Sequence, residues 1–498
     1  MMQTQSVRAV FRLLVLTLLF SASALYEAVH VTALLNGDVW WHLRTGLWIL
    51  QNRQLPHTGL FSQYAKLPWH ASSWGYDVLL AAAYNRFGLR AIPMLLMGFK
   101  VALAVVTFLL ARAARAGFWT AVFLSAIAQY VIVGVQPSPF TLSILLFGIE
   151  LLLLVQSRRS GAVKQLFWLP PLFVVWANLH LQFVAGLALL GLFLTALLAE
   201  HAIRNAGITL LSERVHPLPL AQASVIAGLA FLGTWLNPYT FHLFPDVSRL
   251  LYSGVSFHYG VEMRAMSFRS AQDFALMLLV MAAYFAIGRM RSVELFELLA
   301  LMAGTAIAFR IQRDAWLAVL PAVAILGNGF RFQQDRGDTW NFALRWEKPV
   351  AAALTAMVFL VSAVRLPDRN SLVDKISQTF PVKACDFIVQ NHLPPPLFNT
   401  YSWGGFVTWY LPEYPVAVDG RVDLYGDEIL SRHFQVVTGK ERLETDPSFV
   451  SAHTLLLERQ SGMANALINL PELSAQYVLL YSDDLAAVLV KQASLANH

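Results

Sequence analysis

Apolar positions in this chain come in long blocks separated by short polar breaks, not in the two-residue alternation of half-buried strands. Apolar runs recur at about 13–35, 91–111, 117–134, 139–156, 165–179, 183–199, 221–236, 272–288, 293–309, 313–328 and 349–365. Each is near the length, roughly 20 residues, that carries a helix through the hydrocarbon core of a bilayer. The pattern predicts an all-α polytopic membrane bundle of about 11 transmembrane helices over residues 1–365. The apolar stretch SSWGYDVLLAAAYNRFG is too short to add a span and predicts a helix lying on the outer surface, within a first outer loop over residues 36–90. After Arg365 the pattern turns mixed and polar, so residues 366–498 are expected to form an extracytoplasmic soluble α/β domain. In it PVAVDG and AQYVLLYSDD read as short strands and GDEILSRHFQVV as a helix. Neither an internal repeat nor a low-complexity linker interrupts the chain.

Charge then sets the orientation. With a cytoplasmic N-terminus, the inner loops hold Arg112 and Arg115; Arg158, Arg159 and Lys164; Arg204 and Arg214; Arg289 and Arg291; and Arg331, Arg336, Arg345 and Lys348. That distribution obeys the positive-inside rule, with the inner loops read as plain basic connectors. Only 13% of residues are charged, against roughly 25% in soluble domains. The formal balance of +6 therefore reflects loop placement, and the chain carries no nucleic-acid-binding motif. A single cysteine, Cys385, excludes an intramolecular disulfide and a thiolate metal cluster. Arg8 and Arg12, LLVLTLLF and then Ala22-Ser23-Ala24 mimic a cleavable signal, but apolar character resumes to Leu35, as expected of an uncleaved anchor. Either way residue 36 emerges outside. Basic-inside topology without disulfides fits a bacterial inner (plasma) membrane.

With that topology the polar residues of chemical interest gather on one face. In NGDVWWHLRTG, Asp38 and His42 are four apart and share a helix face, beside Trp40, Trp41 and Arg44. Asp38 either meets a molecule arriving from the bilayer or caps the helix that follows it. Arg310 and Arg313, in AFRIQRDAW, are basic on the outer side and suit a lipid phosphate; alternatively Arg313 pairs with Asp314 or lipid headgroups. WANLHLQF offers Asn178 and His180, and WLNPYTFHLF offers Asn237, for sugar hydroxyls or for helix capping. Glu262 and Arg264 close over a substrate or pair with each other. Lys100, deep in the second span, snorkels or pairs with Glu150. Near the C-terminus, SWGGFVTWYLPEYPVAVDGRVDLYGDE brings Trp403, Asp419, Arg421 and Asp423. The last three share one face if extended, for acceptor recognition or as an internal salt-bridge turn.

NGDVWWHLRTG followed by PHTGLFS, the surface-helix stretch, and a spanning helix ending LARAARAG resembles the first outer loop of the GT-C membrane glycosyltransferases. That class includes the oligosaccharyltransferase catalytic subunit, the protein O-mannosyltransferases and the aminoarabinose transferases. The resemblance covers residues 1 to about 330 as an ordered pattern of loops. It implies an odd number of spans, an outward active site, a polyprenyl-phosphate-linked sugar donor, and a saccharide, lipid or protein acceptor. By the same resemblance the role of catalytic base or metal-linked acid falls on Asp38, which is taken as the base. Arg310 and Arg313 are the candidates for the donor phosphate, and His42, Arg44, Trp74, Asn178, His180, Asn237 and Glu262 for the substrate. The chain departs from the class where many members carry two adjacent acids or a later acidic motif: position 39 is valine, and the outer loops of the bundle hold no DxD. A divalent metal such as Mg or Mn thus lacks support from a second acidic motif, and the cofactor stays open. A lipid-linked saccharide translocase or a non-catalytic envelope-assembly protein is the competing reading, although charges near the midplane are few, chiefly Lys100 and Glu150.

Overall fold

The computed structural model describes residues 2–132, 134–206, 217–251, 253–289, 294–329 and 347–492. Every predicted apolar run is helical: Met2–His30, Ala91–Ala113, Phe118–Val131, Pro139–Ser160, Leu169–Leu179, Phe183–Asn205, Leu220–Gly233, Ala271–Arg289, Leu295–Arg310, Trp316–Gly329 and Glu347–Val364. Among the described residues six helical runs are long and apolar enough to cross a membrane, and the other apolar helices are shorter. One of the six, Trp74–Ala113, contains the expected surface helix. A 3-10 turn at Gly88–Arg90, with Gly88 at φ +60°, separates that helix, Trp74–Phe87, from the longer one that follows. Glycine suits the turn because a side chain is strained at positive φ.

The chain packs as two compact units. The first comprises Met1–His30, Met94–Phe241 and Gly260–Leu366; the second comprises Val31–Pro93, His242–Tyr259 and Pro367–His498. In the first unit, Lys100 Nζ lies 3.3 Å from Glu27 Oε2, so its partner is Glu27 and not Glu150. Nor are Arg158 and Arg159 plain connectors. Arg158 is 1% exposed and binds Glu200 at 2.5 Å and Glu294 at 3.3 Å, while Arg159 binds Glu297 at 3.1 Å and Asn328 at 2.9 Å. Four helix ends meet there, which a loop-by-loop count of charge cannot reveal. Arg214, Arg291, Arg331, Arg336 and Arg345 lie outside the described residues.

The second unit joins residues 31–93 and 242–259 to the C-terminal segment. Helices Asp38–Asn52 and Trp74–Phe87 pack face to face, closely enough that a Cβ on Gly46 would lie 1.9 Å from the Asp77 carbonyl oxygen. A four-stranded sheet of β1 (Leu397–Asn399), β2 (Thr454–Glu458), β3 (Tyr477–Ser482) and β4 (Ala486–Lys491) has the order β1-β2-β4-β3. β1 runs parallel to β2, with Leu397 opposite Thr454, and the other pairs are antiparallel. Phe398, Leu455, Leu457, Leu467 and Leu489 form its buried core with Phe449. The predicted strand PVAVDG is reduced to an isolated parallel bridge between Val416 and Ser62. The side chain of Asn399 explains this: its Oδ1 accepts from Ala417 N at 2.8 Å and its Nδ2 donates to Val418 O at 2.8 Å, replacing a backbone ladder. A second core cluster contains Trp69, Val255, Val418, Leu424 and Tyr425, and so ties together all three stretches of this unit.

The Arg158 network makes a stability prediction. Arg158→Met leaves the Glu200 and Glu294 carboxylates without their guanidinium, and should cost about 3–5 kcal/mol. A thermal unfolding series in detergent checks it, since a solvated connector arginine would shift stability by no more than about 0.5 kcal/mol.

Candidate active site

Asn36 caps the Asp38–Asn52 helix. Its Oδ1 accepts from the backbone N–H groups of Asp38 and Val39, both at 3.0 Å. The capping role considered for Asp38 is therefore filled by Asn36, and the exposed Asp38 carboxylate points elsewhere. Its Oδ1 accepts from Trp41 Nε1 at 3.2 Å. A glycine lies against it: a Cβ on Gly420 would sit 2.1 Å from Asp38 Oδ1 and 2.7 Å from Trp41 Nε1. Burial, and after it the charges of Asp38 and Asp419, pushes the Tyr401 phenol up, which places all three groups in one neighbourhood.

His42 is inside the unit. It is 4% exposed, its ring stacks on Trp41 with centroids 3.6 Å apart, and its Nδ1 lies 2.6 Å from Asp77 Oδ1. Burial raises the Asp77 carboxyl, and His42 offsets this in part. The expected contact of His42 with substrate is not what this geometry provides; the ring instead braces Trp41, the donor to Asp38. Asp77 escaped the sequence reading although it stands in the quoted SSWGYD. A buried imidazole needs a partner, and asking which acid supplies it is the signal that finds Asp77.

Asp419 and Arg421 form the salt-bridge turn that was one of two expectations for this stretch. Arg421 Nε lies 2.9 Å from Asp419 Oδ1 and Nη2 lies 2.7 Å from Oδ2, with both residues no more than 1% exposed. The guanidinium sits 4.9 Å from the Trp69 ring centroid and 5.6 Å from that of Phe61. Arg44, whose guanidinium burial lowers in pKa, is 5.0 Å from the Phe61 ring as well. Asp423 does not share the face of Asp419 and Arg421, because Val422 opens a helix and ends the extended run. Asp423 Oδ2 accepts from Trp69 Nε1 at 3.0 Å. Burial pushes its carboxyl up to about 6, against the lowering effects of the Trp69 N–H and of Arg421, and the Asp246 charge adds to the rise. Trp403 is buried and donates to Thr379 O at 3.1 Å, and Trp74 begins the Trp74–Phe87 helix, partly buried.

In the first unit a separate cluster forms around Arg313. Its guanidinium lies 4.9 Å from the Phe140 ring and its Nε is 3.8 Å from Asp314 Oδ1, too long for a hydrogen bond. His180 faces Phe140 edge-on and its Nδ1 is 2.9 Å from Ser143 Oγ, which also accepts from Trp176 Nε1 at 2.8 Å. Arg310 is exposed at the end of the Leu295–Arg310 helix, and Glu262 is exposed in the Val261–Met263 turn. The amides of Asn178 and Asn237 serve the backbone. Asn178 Nδ2 donates to Val174 O and Leu236 O at 2.8 and 2.9 Å, and Asn237 Nδ2 donates to Thr234 O and Thr240 O at 2.6 and 3.0 Å. Among the described residues no three His, Cys, Asp or Glu side chains converge to hold a metal ion.

No family profile and no curated protein sequence matches the chain. Solved structures do. The archaeal oligosaccharyltransferase AglB from Archaeoglobus fulgidus, in complex with an inhibitory peptide and a dolichol-phosphate, aligns over 97% of this chain and 74% of its own, at 11% identity and a TM-score of 0.53. An A. fulgidus oligosaccharyltransferase tethered to an acceptor peptide aligns over 95% and 74%, at 12% identity and 0.50. ArnT from Cupriavidus metallidurans, bound to undecaprenyl phosphate, aligns over 96% and 98%, at 15% identity and 0.49. At these identities the likeness to the archaeal enzyme is one of fold. The likeness of fold to that oligosaccharyltransferase covers most of the chain.

Two outcomes follow for the second unit. Gly420→Ala places a methyl group inside contact distance of Asp38, and should cost about 1–3 kcal/mol by overpacking; the melting temperature measures it. Asp423, its pKa raised in the folded state to about 6, binds its proton more tightly folded than unfolded. Its contribution to stability is therefore fully present below about pH 4 and is lost as pH rises to about 6, a change of about 3 kcal/mol. Denaturation curves of wild type and Asp423→Asn at the two pH values should differ by that amount, the variant lacking the decline.

Proposed function

We propose that the protein is a membrane glycosyltransferase that moves a sugar from a polyprenyl-phosphate-linked donor to a saccharide, lipid or protein acceptor at the extracytoplasmic face. The observation that carries the proposal is that Asn36 caps the helix, while the exposed Asp38 carboxylate accepts from Trp41 Nε1 at 3.2 Å. The fold likeness to an oligosaccharyltransferase supports it.

In this reading Asp38 is the base. It receives the proton of the acceptor's hydroxyl or amine as that atom bonds to the anomeric carbon, while the carbon–oxygen bond to phosphate breaks and its electron pair leaves with the phosphate. Around Asp38, His42 and Asp77 brace Trp41, and Arg44, Trp74 and Asp423 are the further candidates for contact with the substrate. Arg310 and Arg313 are the candidates for binding a phosphate group. Arg313 is suited to this because its Nε lacks a hydrogen-bond partner and its plane rests on an aromatic ring, leaving guanidinium N–H groups for a phosphate fork. His180 and Glu262 are kept as candidates for contact with the substrate. No step is routed through a metal.

Transfer from a panel of radiolabelled polyprenyl-phosphate sugars, with the full chain in proteoliposomes, tests the base. Asp38→Asn keeps the size and the Trp41 contact but removes the basicity, and should lower turnover by about 100-fold or more. Full transfer by the variant would sink the assignment.

A further inference from the structure

A carboxamide in the first unit is left open beside Arg313. Gln182 stands just before the Phe183–Asn205 helix but gives it no side-chain cap. Its Nε2 donates instead to Asp314 Oδ1 at 3.5 Å, a long hydrogen bond. Arg313 Nε lies 3.8 Å from the same oxygen, so one carboxylate oxygen gathers the amide and the guanidinium. A carboxylate only accepts, which fixes the amide with its NH2 toward Asp314 and leaves Oε1 as the free end. Among the described residues Gln182 Oε1 is buried with no hydrogen-bond partner, and so is Arg313 Nε. The Phe140 ring lies 4.9 Å from the Arg313 guanidinium, and Trp316 meets that ring edge-on at 6.3 Å. The Arg313 side chain is 28% exposed, so a ligand can reach it.

The two open groups ask for different chemistry. The guanidinium donates and takes an anion, whereas Gln182 Oε1 accepts and takes an O–H or N–H. A lipid phosphate offers acceptors alone once it is ionised. A sugar phosphate offers both at once, because the sugar carbon next to the anomeric one, C2, carries a hydroxyl or an N–H. Resting on the reading of Arg313 as a phosphate ligand, we propose that Gln182 is a specificity-determining residue that tells a sugar-loaded polyprenyl phosphate from the spent carrier. A phosphate oxygen accepts from Arg313 while the group on C2 of the sugar donates to Gln182 Oε1. After the sugar has moved to the acceptor, the lipid phosphate keeps its contact with Arg313 but leaves Gln182 Oε1 buried and unmatched. A buried acceptor without a partner is unfavourable, and a site built to bind a hydroxyl rejects ligands that lack it. The spent carrier is therefore held less tightly than the loaded one.

The plain alternative is that the amide only fastens the start of the Phe183–Asn205 helix to Asp314. Equilibrium binding to the full chain in nanodiscs, without acceptor, separates the two. The probes are undecaprenyl phosphate, undecaprenyl-phosphate sugars with a hydroxyl or acetamido group on C2, and the 2-deoxy analogue of the tightest of these. The wild type should prefer the loaded lipid to undecaprenyl phosphate and to the 2-deoxy analogue by about tenfold. In Gln182→Met, which keeps the length without the amide, both preferences should largely vanish while undecaprenyl phosphate binds as it does to wild type. Equal wild-type affinity for the loaded and 2-deoxy lipids overturns the proposal. So does a Gln182→Met variant that keeps the preference, or one that weakens every lipid alike. If Gln182→Met does not fold, the wild-type comparison with the 2-deoxy analogue decides alone. Failure of the wild type to bind undecaprenyl phosphate or any loaded lipid is a separate result, and brings down the phosphate reading of Arg313 together with this inference.

Discussion

The buried ion pair of Asp419 and Arg421 governs the second unit. Removing both charges from water costs several kcal/mol for each ion, and only good geometry repays that. Here the geometry is two parallel N–H···O bonds at 2.9 and 2.7 Å, with the guanidinium packed against Trp69 and near Phe61. The backbone bends between its members at Gly420, the residue that lies against Asp38. The same interaction therefore closes the turn, seats Trp69 and brings glycine backbone to the proposed base. Phe61, with φ at +74°, is held in a conformation unfavourable for a bulky residue between the guanidiniums of Arg44 and Arg421.

Around this pair, charge is divided by burial. The ion pair of Asp419 with Arg421 is inside and matched, and the Asp77 carboxyl is inside and hydrogen-bonded to His42. Asp38 is exposed and accepts from the Trp41 indole N–H, and Asp423 lies between these extremes with a carboxyl pushed up to about 6. Matched buried charges give rigidity, whereas a carboxylate at the surface keeps the basicity that proton transfer requires. The first unit follows the same division: Arg158 and Arg159 are bound inside by glutamates and an asparagine, while Arg313 keeps only a 3.8 Å approach to Asp314.

Much of the fold was legible in the sequence because a bilayer asks for long apolar helices, and such runs announce themselves without knowledge of their partners. The helix Trp74–Phe87, separate from the one after it, was legible too, from its length and its position after a tryptophan-rich stretch. Side-chain roles were less legible. Asn36 and Asp38 are both good capping residues, and only the observed bonds from Asp38 N and Val39 N decide between them. His42 carries no mark of burial in its neighbours, and its acid stands 35 positions away. The alternation of Asp419, Arg421 and Asp423 suggested a shared face, but a helix beginning at Val422 redirects the third. Asn178 and Asn237 have sugar-binding chemistry, yet at broken helix ends their amides satisfy carbonyls left open by the helices.

What the sequence determined alone is what depends on local hydropathy: the apolar helices, the acid and tryptophans of the first outer loop, and the change of character after Arg365. Tertiary structure decided which charges are partnered. Lys100 belongs with Glu27, Arg158 with Glu200, His42 with Asp77, and His70 with Asp246, pairs separated by 35 to 176 positions. The reason is physical. Hydrophobic burial is roughly additive over a run of residues and can be read along the chain, whereas an ion pair or a histidine–carboxylate bond depends on a few tenths of an ångström between groups that only the folded chain brings together.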